Sequence, residues 1–105
     1  MRYIRHASAY ATARAAQVGY VRQIAGEAAE HNVQVNVIGQ GFTKNPTYFP
    51  DHFQTTDLFA KLIAQCPMGR LAEWVEDAEV ALFLASDESD FMVGVELPFV
   101  GGWQL

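Results

Sequence analysis

One short run constrains this chain more than any other. In Val33-Gln34-Val35-Asn36-Val37-Ile38 the valines alternate, and the run turns fully apolar before Gly39. Alternation predicts a strand, and the apolar finish is typical of interior strands in parallel sheets, whose faces are both covered by helices. An interior strand needs a neighbour on each edge. Only one other segment offers one: residues 93–100, closed by Gly101-Gly102 and interrupted by Pro98, which cannot donate to a ladder. The order helix, strand, helices, strand is an α/β pattern. Two apolar strands cannot cover their own faces and edges in water, so they are expected to belong to a larger sheet.

The helices follow from spacing. Residues 7–31 are rich in alanine, the best helix former, and Ser8 is a candidate cap at the start. Tyr10, Arg14, Val18, Val21, Ile24, Ala25 and Ala28 recur at intervals of three and four and share a side. Alanines on the other faces suggest packing on more than one side, including against a partner subunit. Asn32 is expected to end the helix. Residues 40–54, with glycine, two prolines and Phe42, Tyr48, Phe49 and Phe53, read as a loop longer than a connection requires. Thr55 or Thr56 opens a short helix to Gln65, Cys66-Pro67-Met68-Gly69-Arg70 is a turn, and residues 75–86 form another helix.

Composition narrows the partners. Half of the 105 residues are hydrophobic and 18% are charged, which suits one globular unit. The formal charge of −5, without any Lys/Arg cluster, disfavours nucleic acid and anionic membranes. The longest apolar stretch, residues 80–85, is too short to span a bilayer. Cys66 is the only cysteine, which excludes an internal disulfide and fits a cytoplasmic location. His6, His31 and His52 lack metal-ligand spacing, so no metal is expected. Cys66 reads as a small packed residue, and Asp87-Glu88-Ser89-Asp90 as a solvated turn. Gly39-Gln40-Gly41 follows a strand, but a third glycine and a helix start are missing, so it is not a dinucleotide loop.

The chemically suggestive feature is Tyr10-Ala11-Thr12-Ala13-Arg14. On a helix, residues four apart stand one turn above the other. A free phenol is a poor base at neutral pH, and a fixed cation beside it favours the phenolate. Arginine supplies that charge without surrendering a proton. Such a pair can act as a general base on an alcohol. Taken alone, the motif is weak, and a tyrosine stacked inertly on an arginine is the better reading of it.

The surroundings change the weighting. Ser8-Ala9-Tyr10-Ala11-Thr12-Ala13-Arg14-Ala15-Ala16 resembles the catalytic helix of the short-chain dehydrogenases/reductases, where the usual motif is Tyr-x-x-x-Lys. Residues 33–38 are similar to the strand that follows, and Pro67-Met68-Gly69-Arg70-Leu71 to the family's Pro-x-Gly-Arg turn. Residues 79–87 resemble its late helix, and Phe91-Met92-Val93-Gly94 leading to Gly101-Gly102 its last strand. The resemblance implies a Rossmann-like, doubly wound parallel sheet, of which residues 1–105 supply the C-terminal helices and the last two strands of a single domain. The N-terminal half, with a serine that completes the family's triad, would lie upstream. The segment is then expected to be inactive alone and prone to associate through its strand edges.

Departures from the superfamily pattern point further. Arg14 stands where the dehydrogenases have the lysine that contacts the nicotinamide ribose, and Gln40-Gly41 where they have Pro-Gly. Together with Asn45-Pro46-Thr47-Tyr48-Phe49-Pro50, this resembles the halohydrin dehalogenases, cofactor-free relatives that form tetramers. That resemblance implies a vicinal haloalcohol or epoxide and a halide as partners, a homo-oligomer, and no cofactor. Tyr10 would be the base and Arg14 its cation. Gln40, Gly41, Phe42, Thr43, Tyr48 and Phe49 would line the substrate and halide site. Backbone N–H groups at Gly41, Phe42 and Thr43 are the expected halide donors. The aromatic loop has a plainer reading as a core plug, and Trp103 as interface packing or a visitor to a neighbouring subunit. Two rivals stand beside this reading: an NAD(P)-dependent short-chain reductase with arginine replacing lysine, and a non-catalytic oligomerisation module.

Overall fold

A computed structural model describes residues 6–103. Helix α1 (Ser8–Ala29) leads into strand β1 (Val37–Gln40), followed by short helices α2 (Asp51–Gln54) and α3 (Asp57–Ile63), then α4 (Trp74–Leu84) and strand β2 (Glu96–Phe99). The strands pair in parallel, Val37 opposite Glu96 and Gln40 opposite Phe99. The α/β order expected from sequence is therefore present, and the connection between the parallel strands carries the helices.

Both strands are shorter than their sequence patterns, and β1 is displaced towards its C-terminal end. Gly39 and Gln40 lie inside the ladder, whereas residues 33–36 lie outside it. Amide side chains explain the shift. Asn36 Nδ2 donates to the Met92 carbonyl at 2.8 Å while its Oδ1 accepts the Val95 N–H at 3.0 Å. Gln34 Nε2 donates to the Ser89 carbonyl at 2.5 Å. These bonds satisfy backbone groups that a longer ladder would otherwise pair.

Pro98 sits within β2 at no cost to the pairing. Val37 N–H donates to Val95 O and Gly41 N–H to Phe99 O, so alternation turns the Pro98 nitrogen away from β1. The same alternation turns the N–H and C=O of Ile38 and Gln40 towards the opposite edge of β1. Proline on the outer side of β2 suits an edge strand.

α1 ends as expected. Asn32 adopts a left-handed φ of 58°, and Val33 N–H closes onto the Ala28 carbonyl at 3.1 Å. Its start differs from expectation: Ala7 is the cap residue, Ser8 lies inside the helix, and no side chain caps the turn. Ala25, 1% exposed, marks where α1 touches the sheet region. A Cβ on Gly94, whose φ is +69°, would stand 3.4 Å from the Ala25 Cβ. Arg22 reaches Glu96 on β2 at 3.7 Å.

α4 has the firmest start. Glu73 and Glu76 form a reciprocal capping box, and Arg70 grips both Glu76 oxygens at 2.7 Å. The Arg70 guanidinium and the Glu73 N–H hold the Glu76 carboxyl down to about 2. Residues 87–90, expected to be a solvated turn, form a 3₁₀ turn, Asp87–Ser89, with Asp87, Glu88 and Asp90 exposed and only Ser89 turned inward. Its Ser89 is 1% exposed, with a hydroxyl that donates to Leu84 O and Ser86 O. α2 leaves no trace in the sequence pattern, because four residues carry too little periodicity to be seen.

Burial is sparse. Among the described residues only Ala25, Cys66, Leu71 and Ser89 are buried. The accessible area of the 11.7 kDa chain is 7777 Å². A compact monomer of that mass exposes about 5,900 Å². Trp74, Leu58 and Leu82 each expose about two-thirds of their area. No helix among the described residues is long and apolar enough to cross a membrane.

Candidate active site

α1 presents the tyrosine and arginine together. The Arg14 guanidinium carbon lies 5.2 Å from the centroid of the Tyr10 ring, so the cation covers the ring face. Arg14 Nη1 also donates to Gln17 Oε1 at 2.9 Å, one turn further on. Tyr10 is 56% exposed. Helical spacing alone produces this stack, since residues four apart share a face.

The second cluster of candidates follows β1. Gly41 is required sterically: a Cβ there would meet Val100 Cα at 2.9 Å. Its N–H donates to Phe99 O at 2.8 Å. Gly41 is thereby corrected as a halide donor, because its one N–H is committed to the sheet. Phe42 stacks on Trp103 with centroids 4.3 Å apart and meets Phe49 edge-on at 5.7 Å. Phe49 continues to Phe53 and Phe59. Trp103 thus packs within its own chain. Thr43 bridges to Ala72, and its Oγ1 is buried without a hydrogen-bond partner. Gln40 Nε2 donates to Asp77 Oδ2 on α4. Tyr48 is 75% exposed and stands apart from the ring cluster.

The fold therefore joins Tyr10 with Arg14, and Phe42 with Phe49. No hydrogen bond, ion pair or ring contact among the described residues links α1 to residues 40–49. A recess of about 70 Å³ adjoins Phe42, lined also by Met68, Ala72, Phe99 and Gly101 and by buried Cys66, whose thiol donates to Gly101 O at 3.3 Å. A wider one of about 270 Å³ lies between Lys44, Phe59, Ile63 and Glu73. Tyr10 and Arg14 line neither. No group of three or more potential metal-ligating side chains occurs among the described residues. Sequence reasoning missed Asp77 and Trp103 as partners of the loop, and neither carries a local signal, because each is brought in by the fold.

A family model described as enoyl-(acyl carrier protein) reductase matches residues 1–104. The chain belongs to the short-chain dehydrogenase/reductase superfamily. It is 35% identical over 98 residues to Protein FixR of Bradyrhizobium diazoefficiens, covering 93% of this chain and 33% of that protein. It is 36% identical over 93 residues to the 3-oxoacyl-[acyl-carrier-protein] reductase FabG of Salmonella typhimurium, covering 89% of this chain and 37% of that protein. A solved structure described as a dehalogenation enzyme superposes with a TM-score of 0.89 at 38% identity, covering 97% of this chain and 42% of that one. The chain thus spans well under half the length of these relatives. The superposition agrees with a Rossmann-like fold, of which this chain contributes helices and two parallel strands.

Proposed function

We propose that this segment carries the catalytic tyrosine and arginine of a dehalogenating short-chain dehydrogenase/reductase relative. Its reaction would convert vicinal haloalcohols to epoxides and, in reverse, open epoxides with small anions. The observation that carries the reading is the Arg14 guanidinium held over the Tyr10 ring. In support, the dehalogenation enzyme is 38% identical over nearly the whole chain.

In this mechanism Tyr10 serves as the base that takes the proton of the substrate hydroxyl, with the Arg14 guanidinium as its neighbouring cation. The alkoxide oxygen forms a bond to the neighbouring carbon as the carbon–halogen bond breaks. The halide leaves with the bonding electron pair, so charge and atoms balance without any redox change. The loop from Gln40 to Phe49 is assigned to the departing halide, with Phe42 and Phe49 as polarisable walls and the Phe42 and Thr43 N–H groups as donors.

A nicotinamide-dependent reductase is the second reading, favoured by the identity to FabG. The residues present fit a nicotinamide ribose poorly. Arg14 replaces the lysine and is engaged with Tyr10 and Gln17, and the Phe42–Trp103 stack occupies the segment that shapes that site in the reductases. Tyr10→Phe in the full-length protein tests the proposal. Loss of a general base lowers the rate of epoxide formation from a bromoalcohol by about 10²–10⁴-fold. Retention of the wild-type rate would exclude Tyr10 as the base.

A further inference from the structure

Gln40 stands where the dehydrogenases carry proline, and it is the last residue of β1. Proline stiffens a chain by fixing φ, and glutamine has no such restraint. Here the glutamine side chain crosses instead to α4, where Nε2 donates to Asp77 Oδ2. Asp77 Oδ1 is buried and accepts nothing, so Gln40 is the hydrogen-bonding partner of that carboxylate. The rest of the segment is tied to the same helix start. Ala72 N–H donates to Phe42 O at 2.9 Å, Lys44 N–H donates to Ala72 O at 2.8 Å, and Lys44 Nζ meets Glu73 at 3.3 Å. On the β2 side the Gly41 N–H is tied to Phe99 O at 2.8 Å, and the backbones lie close enough that a Cβ on Gly41 would stand 2.9 Å from Val100 Cα.

We propose that Asp77 is a positioning residue that holds the Gln40–Thr43 segment on α4, so that a side-chain hydrogen bond replaces the restraint of the missing proline. The assignment rests on the reading of this segment as the halide-facing loop. Asp77 also lies in the first turn of α4, where any carboxylate is favourable to the helix dipole. The two roles separate by substitution. Asp77→Asn keeps an acceptor for Gln40 but loses the charge, whereas Asp77→Ala loses both.

The experiment combines amide hydrogen exchange at Gly41 and Lys44 with kinetics on a vicinal bromoalcohol, using the full-length protein. Asp77→Ala is expected to speed exchange at both amides by about three- to tenfold and to raise KM by a similar factor with kcat little changed, while Asp77→Asn stays close to wild type. In a Gln40→Pro background, Asp77→Ala is expected to add no further change at these amides, because the two restraints act on one segment. Equal effects of Asp77→Asn and Asp77→Ala, or an undiminished effect of Asp77→Ala in the Gln40→Pro background, would overturn the proposal. If the wild-type protein releases no bromide, the dehalogenase reading fails, and the exchange pattern alone still decides whether Asp77 holds the segment.

Discussion

Gly41→Ala isolates the contact that closes β1 against β2. The added Cβ would lie 2.9 Å from Val100 Cα and 3.4 Å from both Phe99 O and Val100 Cβ. Comfortable carbon–carbon contact needs about 3.5–4.0 Å, so the two segments must part by about 0.5–1 Å. Backbone, not a flexible side-chain tip, stands in the way. The Gly41–Phe99 hydrogen bond, now 2.8 Å, then stretches to the edge of usefulness. Overpacking costs about 1–3 kcal/mol, and the weakened bond up to about 1 kcal/mol more, giving about 1–4 kcal/mol together. Urea unfolding of the full-length protein, followed by tryptophan fluorescence, measures this. At a slope of about 2 kcal/mol per molar, the midpoint falls by about 0.5–2 M. Gly19→Ala is the control: nothing lies within 4 Å of its added Cβ, so it should gain about 0.8–1 kcal/mol of helix propensity. An unchanged midpoint for Gly41→Ala, or equal losses for both variants, would refute the steric argument.

Two further outcomes follow from the same geometry. The Glu76 carboxyl lies at about 2 in the fold against an ordinary 4.5, so its contribution is complete above pH 4.5 and is lost as pH falls towards 2. The stability difference between wild type and Glu76→Gln, measured by unfolding at a series of pH values, should therefore be present at neutral pH, shrink through that window and vanish near pH 2. It should be modest throughout, because the pair is half-exposed. Thr43→Val removes a buried hydroxyl with no partner, and a gain of up to about 1 kcal/mol in urea midpoint analysis is expected. A clear loss would show that the hydroxyl has a partner in solution.

Much of this architecture is legible in residues 33–38 and 93–100, whose patterns identify a parallel pair within an α/β order. The boundaries are not, because Asn36 and Gln34 bond across 56 and 55 residues and take over from the ladder. The Tyr10–Arg14 stack is readable because helical spacing is local. The Gln40–Asp77 bond, spanning 37 residues, and the Phe42–Trp103 stack depend on where α4 and the C-terminal turn come to rest, which no local pattern encodes. Ser89 misleads in the opposite direction. Its acidic neighbours read as solvated, yet its hydroxyl caps the end of α4 from a buried position.

The central claim is that Tyr10 and Arg14 serve an alcohol next to a leaving halide, with no need for a nicotinamide. Chloride release from 1,3-dichloro-2-propanol by the full-length protein, in buffer free of NAD(P), tests it most directly. Steady release accompanied by epoxide, abolished in Tyr10→Phe, is the predicted result. No chloride release, together with NADPH-dependent reduction of a carbonyl substrate, would contradict it.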